Sequence, residues 1–263
     1  MQPYTGFAFV YDTFMDNVPY DEWADYVEHL LKKQGVDRGI VLDLGCGTGS
    51  MTRRLADKNY DMIGIDLSDE MLLIAREKNM DRENNILYLC QDMREFELYG
   101  TVNAVVSVCD SMNYILSEEE LLQVLRLVNN YLDPGGVFIF DLDTRYLYEE
   151  VLGDSTIAEN REEGSFIWEN TYDADEMMNE IHLTLFLPED GGEASPLFRK
   201  EEEVHYRRAY NPERIRELIL EAGMEFIAVY DALTEEAPNE ESERLYFIAK
   251  EKYQADKLYV GEG

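Results

Sequence analysis

Cysteine is scarce in this chain, three residues in 263: Cys46, Cys90 and Cys109. Their spacing fits neither a disulfide framework nor a metal-ligand cluster, so the expectation is a reduced, cytoplasmic protein without a metal. Lys and Arg are scarce as well, 23 against 56 Asp and Glu, for a formal net charge of −33. Nucleic-acid binding relies on cations that neutralise phosphates, and this balance argues against such a partner. A solvated acidic surface is the plain reading of the excess; attraction of a cationic substrate or a basic protein is the sharper one. No run approaches the ~18 apolar residues of a membrane-spanning helix. The N-terminus carries Asp12 and Asp16 with no apolar run before a cleavage site, and does not read as a signal peptide. Oligomeric state leaves no mark in the sequence.

What is present is a core and one telling loop. Hydrophobic residues make up 45% and aromatics 12% of the chain, enough for one large α/β domain or a domain with a sizeable insertion. The apolar run Ile40, Val41, Leu42, Leu44 ends in Gly45, Gly47 and Gly49, with Asp43 two residues before the first glycine. This reads as a buried parallel strand, a tight loop and a helix starting near Ser50. Glycines allow positive φ and let a ligand approach the backbone and the helix N-terminus. A second apolar strand, Met62-Ile-Gly-Ile-Asp66, ends in an acid 19 residues beyond Gly47. At that distance a carboxylate reaches the hydroxyl pair of a ribose. The glycines run G-x-G-x-G with Ser50 next, which departs from the dinucleotide fingerprint. Asp43 would be a poor neighbour for pyrophosphate and a good one for an ammonium or sulfonium. Both features favour S-adenosylmethionine over NAD and argue against a dehydrogenase.

Here the chain resembles the class I S-adenosylmethionine-dependent methyltransferases of the small-molecule type. The resemblance rests on Leu42-Asp43-Leu44-Gly45-Cys46-Gly47-Thr48-Gly49, on Gly64-Ile65-Asp66-Leu67-Ser68 with Met71 following, and on Cys90-Gln91-Asp92-Met93. The exit of a fourth strand, Val105 to Tyr114 with Cys109 and Asp110, and Pro134-Gly135-Gly136 before Val137–Asp141 complete it. It is close over residues 36–143 and looser over 212–250. It implies that Asp43, Gly45, Cys46, Gly47 and Gly49 line the methionine side of the cofactor, with Cys46 contributing backbone only. It implies Asp66, Leu67 and Met71 at the ribose, Asp92 and Met93 at the adenine, and Cys109 and Asp110 beside the methyl group. Tyr11, in Phe9-Val10-Tyr11-Asp12, resembles an N-terminal tyrosine that closes over the cofactor.

The order of segments predicts the architecture. A helix over 20–34 precedes strands and helices in alternation: 39–44, helix 50–58, 61–66, helix 69–79, 86–90, 102–108, helix 117–131, 136–141. Alternation of this kind implies an α/β, doubly wound, Rossmann-like sheet. With 224–230 and 245–250 as a closing pair, the sheet has seven strands, mostly parallel with an antiparallel last strand. Asp43, Asp66, Asp92 and Asp110 fall at or near strand ends and are expected to converge. Residues 149–203 hold seventeen Asp and Glu against three Lys and Arg. Alternating runs at 165–172, 179–187 and 203–210 predict three added antiparallel strands, with turns at 173–175 and 188–195. The division expected is a core of 1–143 and 211–250, an inserted β lid of 144–210 covering the site and choosing the substrate, and a tail, 251–263. A helix over 212–222 opens with Asn211 and Pro212.

A sulfonium already activates its methyl group, so the protein must chiefly place a nucleophile and exclude water. A general base is needed only for an acceptor that arrives protonated. His29 reads as surface, and His182 faces away from Ile181, Leu183 and Leu185. His205 is the best base, sharing a strand face with Arg207, and Tyr114 stands where the acceptor should meet the methyl group. Cys109 reads as a buried filler rather than a nucleophile. Tyr146, Trp168, Tyr172, Tyr206 and Tyr210 either wall a pocket or hold the added sheet. The expected function is methyl transfer to nitrogen or oxygen of a small molecule. Methylation of protein or RNA, and a module that binds S-adenosylmethionine without turnover, are the alternatives.

Overall fold

The computed structural model describes residues 7–80, 85–188, 197–252 and 257. In chain order the elements are α1 (Ala8–Phe14), α2 (Tyr20–Lys33), β1 (Gly39–Leu44), α3 (Ser50–Asp57), β2 (Tyr60–Asp66), α4 (Asp69–Asn79) and β3 (Leu87–Cys90). There follow β4 (Val102–Ser107), a short turn of helix at Ser111–Tyr114, α5 (Glu118–Tyr131), β5 (Leu132–Asp143) and a wide turn at Leu147–Leu152. The chain then runs through β6 (Thr156–Asn160), β7 (Ser165–Asp173), β8 (Met178–Pro188), β9 (Phe198–Arg208), α6 (Pro212–Glu221), β10 (Met224–Asp231) and β11 (Arg244–Glu251).

Seven strands pair in the order β10-β11-β5-β4-β1-β2-β3. Only β11 runs against its neighbours β5 and β10. Val41, Leu42 and Leu44 of β1 are fully buried because helices cover both faces of the sheet, which is why the strand reads as a continuous apolar run. One core forms beneath α5 and α6, with Val105, Val124, Phe138 and Ile215. The other forms beneath α2 and α3, with Val27, Leu31, Val41 and Leu55. Side-chain caps start the helices where the sequence supplies them. Ser68, Ser117 and Asn211 each accept a backbone N–H from the first turn of α4, α5 and α6. The strand order reverses between β1 and β4, so a crevice opens beyond their carboxyl ends.

β5 begins at Leu132 rather than 136, because Val102 pairs with Leu132 before the Pro-Gly-Gly irregularity shifts the register to Ala104 opposite Val137. The added sheet has four strands where three are expected, in the order β6-β7-β8-β9. β6 is an edge strand whose one large apolar residue, Ile157, is exposed, so it carries no alternation to read. β9 starts five residues before 203, since the backbone of Phe198–Glu202 pairs with β8 although its side chains are largely charged and exposed. The turn at 173–175 lies between β7 and β8 as expected; the 188–195 turn, beyond Pro188, lies outside the described residues. Of the expected tail, Glu251 closes β11 and receives the Gly135 N–H at 2.9 Å. Apart from Lys252 and Lys257, the rest of that tail lies outside the described residues.

A third core cluster ties the N-terminus to the added sheet. Phe7, Val10 and Phe14 pack on Leu183, Leu185 and Leu187, with Phe166 edge-on to Phe14 at 4.9 Å. These leucines alternate with exposed or half-buried residues along β8, so the sheet has an inner face that α1 covers. Among the described residues no helix is long and apolar enough to cross a membrane.

Candidate active site

A cavity of about 250 Å³ occupies the crevice at the ends of β1, β2 and β4. Tyr11, Asp43, Gly45, Cys46, Gly47, Asp66, Leu67, Met71, Asp92, Met93, Cys109 and Tyr114 all line it. Chain connectivity explains the gathering: each parallel strand delivers its last residues to the same edge.

The glycine loop is built for close approach. Gly45, Gly47 and Gly49 have φ of 82°, 52° and 74°, the left-handed region open to glycine. At Gly45 a Cβ would meet the Ser111 side chain at 2.6 Å, and at Gly49 the Tyr88 hydroxyl at 2.4 Å. At Gly47 it would meet nothing within 4 Å, so this position faces open space. Gly49 lies outside the cavity lining and caps α3 instead. A ligand that lies on backbone fits such a loop.

Asp66 closes β2 and turns its carboxylate back to the loop. Its two oxygens accept the Gly47 N–H at 2.7 Å and the Ser68 N–H at 2.8 Å. Burial pushes its carboxyl up, against the pull of those N–H groups. Asp43 is 2% exposed and accepts the Thr52 hydroxyl at 2.5 Å. Burial raises it to about 7, Thr52 opposing and the Asp66 charge adding. Asp43 therefore carries a full negative charge only above neutrality, or when a cation stands beside it. At Asp92 the Arg94 guanidinium holds the carboxyl low; Arg94 also reaches Glu120 at 2.6 Å. Burial pushes the Cys46 and Cys109 thiols well up, so neither is a thiolate nucleophile near neutral pH.

Asp110 departs from expectation. Its neighbours Cys109 and Ser111 line the cavity, but its own side chain does not. It lies 2.9 Å from Arg207 and 3.3 Å from Arg244, beside Asp141 and Asp143, which Arg244 also meets. Burial pushes Asp110 up, Arg207 and Arg244 opposing. The four acids thus do not all converge: Asp43, Asp66 and Asp92 stand in the wall, and Asp110 sits behind it in an ion cluster.

Tyr114 links the cavity to the added sheet. Its hydroxyl is 3.1 Å from His205 Nδ1, and His205, 1% exposed, lies parallel to the Trp168 ring at 6.5 Å. His29 and His182 are exposed and pair with Glu235 and Glu180. Of the five aromatics proposed for a pocket wall, none lines the cavity. Tyr206 is exposed, and Tyr210 joins the core under α6, its hydroxyl donating to the Ile115 carbonyl. No described residue of 144–210 lines the cavity; the segment reaches it through His205 and Arg207 behind Tyr114.

Sequence reasoning missed several neighbours. Tyr20, at the start of α2, lines the cavity together with Tyr11 of α1. Asp12 accepts the Thr48 hydroxyl at 2.7 Å and pairs with Lys78, tying α1 to the glycine loop and to α4. Only Asp12, one residue from Tyr11, was marked by its position. Lys78 is brought there by a helix turn sixty-six residues away.

Residues 41–136 match the model of a methyltransferase domain. The chain is 37% identical to a putative methyltransferase, YqeM, of Bacillus subtilis, over 94% of this chain and 96% of that one. A crystal structure of an S-adenosylmethionine-dependent methyltransferase from Clostridium acetobutylicum superposes with a TM-score of 0.83. That pair is 26% identical over 96% of this chain and all of the other. About half of the chain, 51%, is 32% identical to 56% of a dTDP-3-amino-3,4,6-trideoxy-α-D-glucopyranose N,N-dimethyltransferase of Streptomyces venezuelae.

Proposed function

The chain belongs to the class I S-adenosylmethionine-dependent methyltransferases, and from that premise we propose that its methyl acceptor is the nitrogen of a small-molecule amine. The observation that carries this reading is Tyr114 in the cavity wall with the buried His205 hydrogen-bonded behind it. An aliphatic amine is protonated near neutral pH and must lose a proton before it can attack, which gives that pair work to do. A pure binding module has no use for it; an alcohol acceptor would need a base as well, and the amino-sugar N,N-dimethyltransferase likeness favours nitrogen over oxygen.

In this reading Gly45 and Gly47 present backbone to the methionine end of S-adenosylmethionine, and Asp43 faces its positive charge. Asp66 takes the ribose hydroxyls with Leu67 and Met71 beside it; Asp92 and Met93 flank the adenine. Bound there, the cofactor supplies a methyl group already activated by the sulfonium. Tyr11 and Tyr20 close the cavity from α1 and α2 and keep water out, while Cys109 fills space beneath the acceptor. Tyr114 touches the acceptor nitrogen, and His205 is the base behind it. Residues 1–143 and 211–250 act as the cofactor-binding core and 144–210 as the acceptor-side unit. Three free cysteines suit a reducing, cytoplasmic setting.

The test is transfer of labelled methyl from S-adenosylmethionine to a panel holding an amino-sugar nucleotide, glycine, an aromatic amine, matching alcohols, a basic peptide and RNA. Label on an aliphatic amine and none on its alcohol counterpart is expected. Label confined to alcohol, peptide or RNA overturns the amine, and tight cofactor binding with no acceptor at all favours the binding module.

Asp66→Ala should weaken S-adenosylmethionine binding by about 1.5–3 kcal/mol, the worth of a charged hydrogen bond. The released Gly47 and Ser68 N–H groups add to that loss. Calorimetry showing unchanged affinity in a folded variant would remove Asp66 from the ribose.

A further inference from the structure

Resting on the amine reading above, we infer that Glu203 is the positioning residue of the His205 base and that Arg207 sets the direction in which the Tyr114 proton moves. Along β9, Glu203, His205 and Arg207 alternate inward, while Glu202 and Tyr206 face solvent. Glu203 is 2% exposed, and its register partner on β8 is Leu183; the partner of His205 is Ile181. An ionisable pair in so apolar a sheet face is costly to bury, and packing alone would be served better by leucine. The two groups instead complete a directed chain of hydrogen bonds.

The direction follows from groups that can only donate. Arg207 Nη2 donates to the Tyr114 hydroxyl at 3.2 Å, and the guanidinium lies 5.1 Å from the Tyr114 ring centre and 5.6 Å from that of Trp168. With that lone pair engaged, the hydroxyl turns its own proton to His205 Nδ1, 3.1 Å away. The neutral imidazole then carries its proton on Nε2 and donates it to Glu203 Oε2 at 3.2 Å. The other oxygen, Glu203 Oε1, accepts the Phe7 N–H at 3.1 Å. Phe7 opens α1, the helix that brings Tyr11 to the cavity. The carboxylate therefore holds the base with one oxygen and the N-terminal helix with the other.

The step balances. A proton leaves the acceptor ammonium for the Tyr114 oxygen as the Tyr114 hydroxyl proton passes to His205 Nδ1. The imidazolium so formed faces the Glu203 carboxylate, the arrangement of a base oriented by a third group. The freed nitrogen pair forms the bond to the methyl carbon, and the electrons of the carbon–sulfur bond stay on sulfur. One proton per methyl then leaves His205 for solvent.

The first test reads the tautomer of His205 by ¹⁵N NMR in the full chain saturated with S-adenosylhomocysteine, with exposed His29 and His182 as internal references. A proton fixed on Nε2 is expected in the wild type, and a mixture of tautomers in Glu203→Leu. A proton fixed on Nδ1, or an unchanged tautomer in Glu203→Leu, overturns the assignment. Should that variant fail to fold, Glu203→Gln keeps the shape and removes the charge. With an aliphatic amine that the panel shows to be methylated, Glu203→Gln should slow transfer at neutral pH by at least about tenfold, while an aromatic amine, already neutral, should change by less than about twofold. Equal slowing of both would mean a merely structural carboxylate. If no amine accepts label, the amine reading falls, while the tautomer measurement still decides the role of Glu203.

Discussion

Gly47→Val is expected to abolish S-adenosylmethionine binding while leaving the protein folded. The residue sits at φ 52°, and a Cβ there meets no protein atom within 4 Å. A side chain at this point therefore intrudes on the space a ligand would fill rather than on the fold. The left-handed backbone adds strain of about 1–3 kcal/mol for a β-branched residue, which also disturbs the N–H that Gly47 gives to Asp66. Together these should weaken binding by more than about 100-fold, ~2.7 kcal/mol. Gly45 and Gly49 behave differently: their Cβ atoms would press on Ser111 and Tyr88, so substitution there harms the fold first. Calorimetry paired with thermal unfolding separates the two cases. Normal cofactor affinity in a folded Gly47→Val protein would make the loop structural only.

The affinity for S-adenosylmethionine should fall steeply below neutral pH, by about 50-fold between pH 7 and pH 5. Asp43 is raised to about 7 by burial, so in the free protein it holds a proton below that pH and loses it above. A cationic ligand favours the ionised form, and binding below pH 7 must expel the proton at a cost of tenfold per pH unit. Stability runs in the opposite sense. The folded protein keeps a proton that the unfolded chain releases from about pH 4 upward, so this group's contribution to stability declines as pH rises from 4 to 7. Asp43→Asn should flatten both curves, which distinguishes Asp43 from Asp110, another buried carboxyl raised into the same range. Calorimetry in buffers of different ionisation enthalpy would count the released proton. A flat affinity profile in the wild type would show that Asp43 does not face the cofactor's charge.

The core was legible because its signals are short-range. The apolar runs of β1 and β2, the three glycines and the acid at Asp66 lie within 28 residues, and their meaning depends on one strand-loop-helix unit. Burial on both faces forces apolar continuity on a parallel strand, and backbone approach forces glycine on the loop. Strands read from alternation were found where one face is buried, as in β8, or half-buried against it, as in β7. They were missed where pairing is by backbone alone, as in β6 and the charged start of β9.

The acceptor side was another matter. Glu203 closes a run of three glutamates whose first two members are half-buried or exposed. Nothing in the run marks the third as the one that turns inward. Asp110 sits in sequence beside cavity residues yet bonds Arg207 and Arg244, ninety-seven and 134 positions away. Tyr114 meets a histidine 91 residues on because β9 packs against the turn that follows β4. Sequence alone determined the main sheet, the cofactor and the strand-loop-helix unit that lines most of the cavity, since local backbone geometry dictates those residue types. Only the tertiary structure decided which acids face the cavity and which lie in ion pairs, and what stands behind Tyr114. Side-chain direction in a paired strand depends on its register with a distant partner, and a one-residue shift would turn Glu203 and His205 to the solvent.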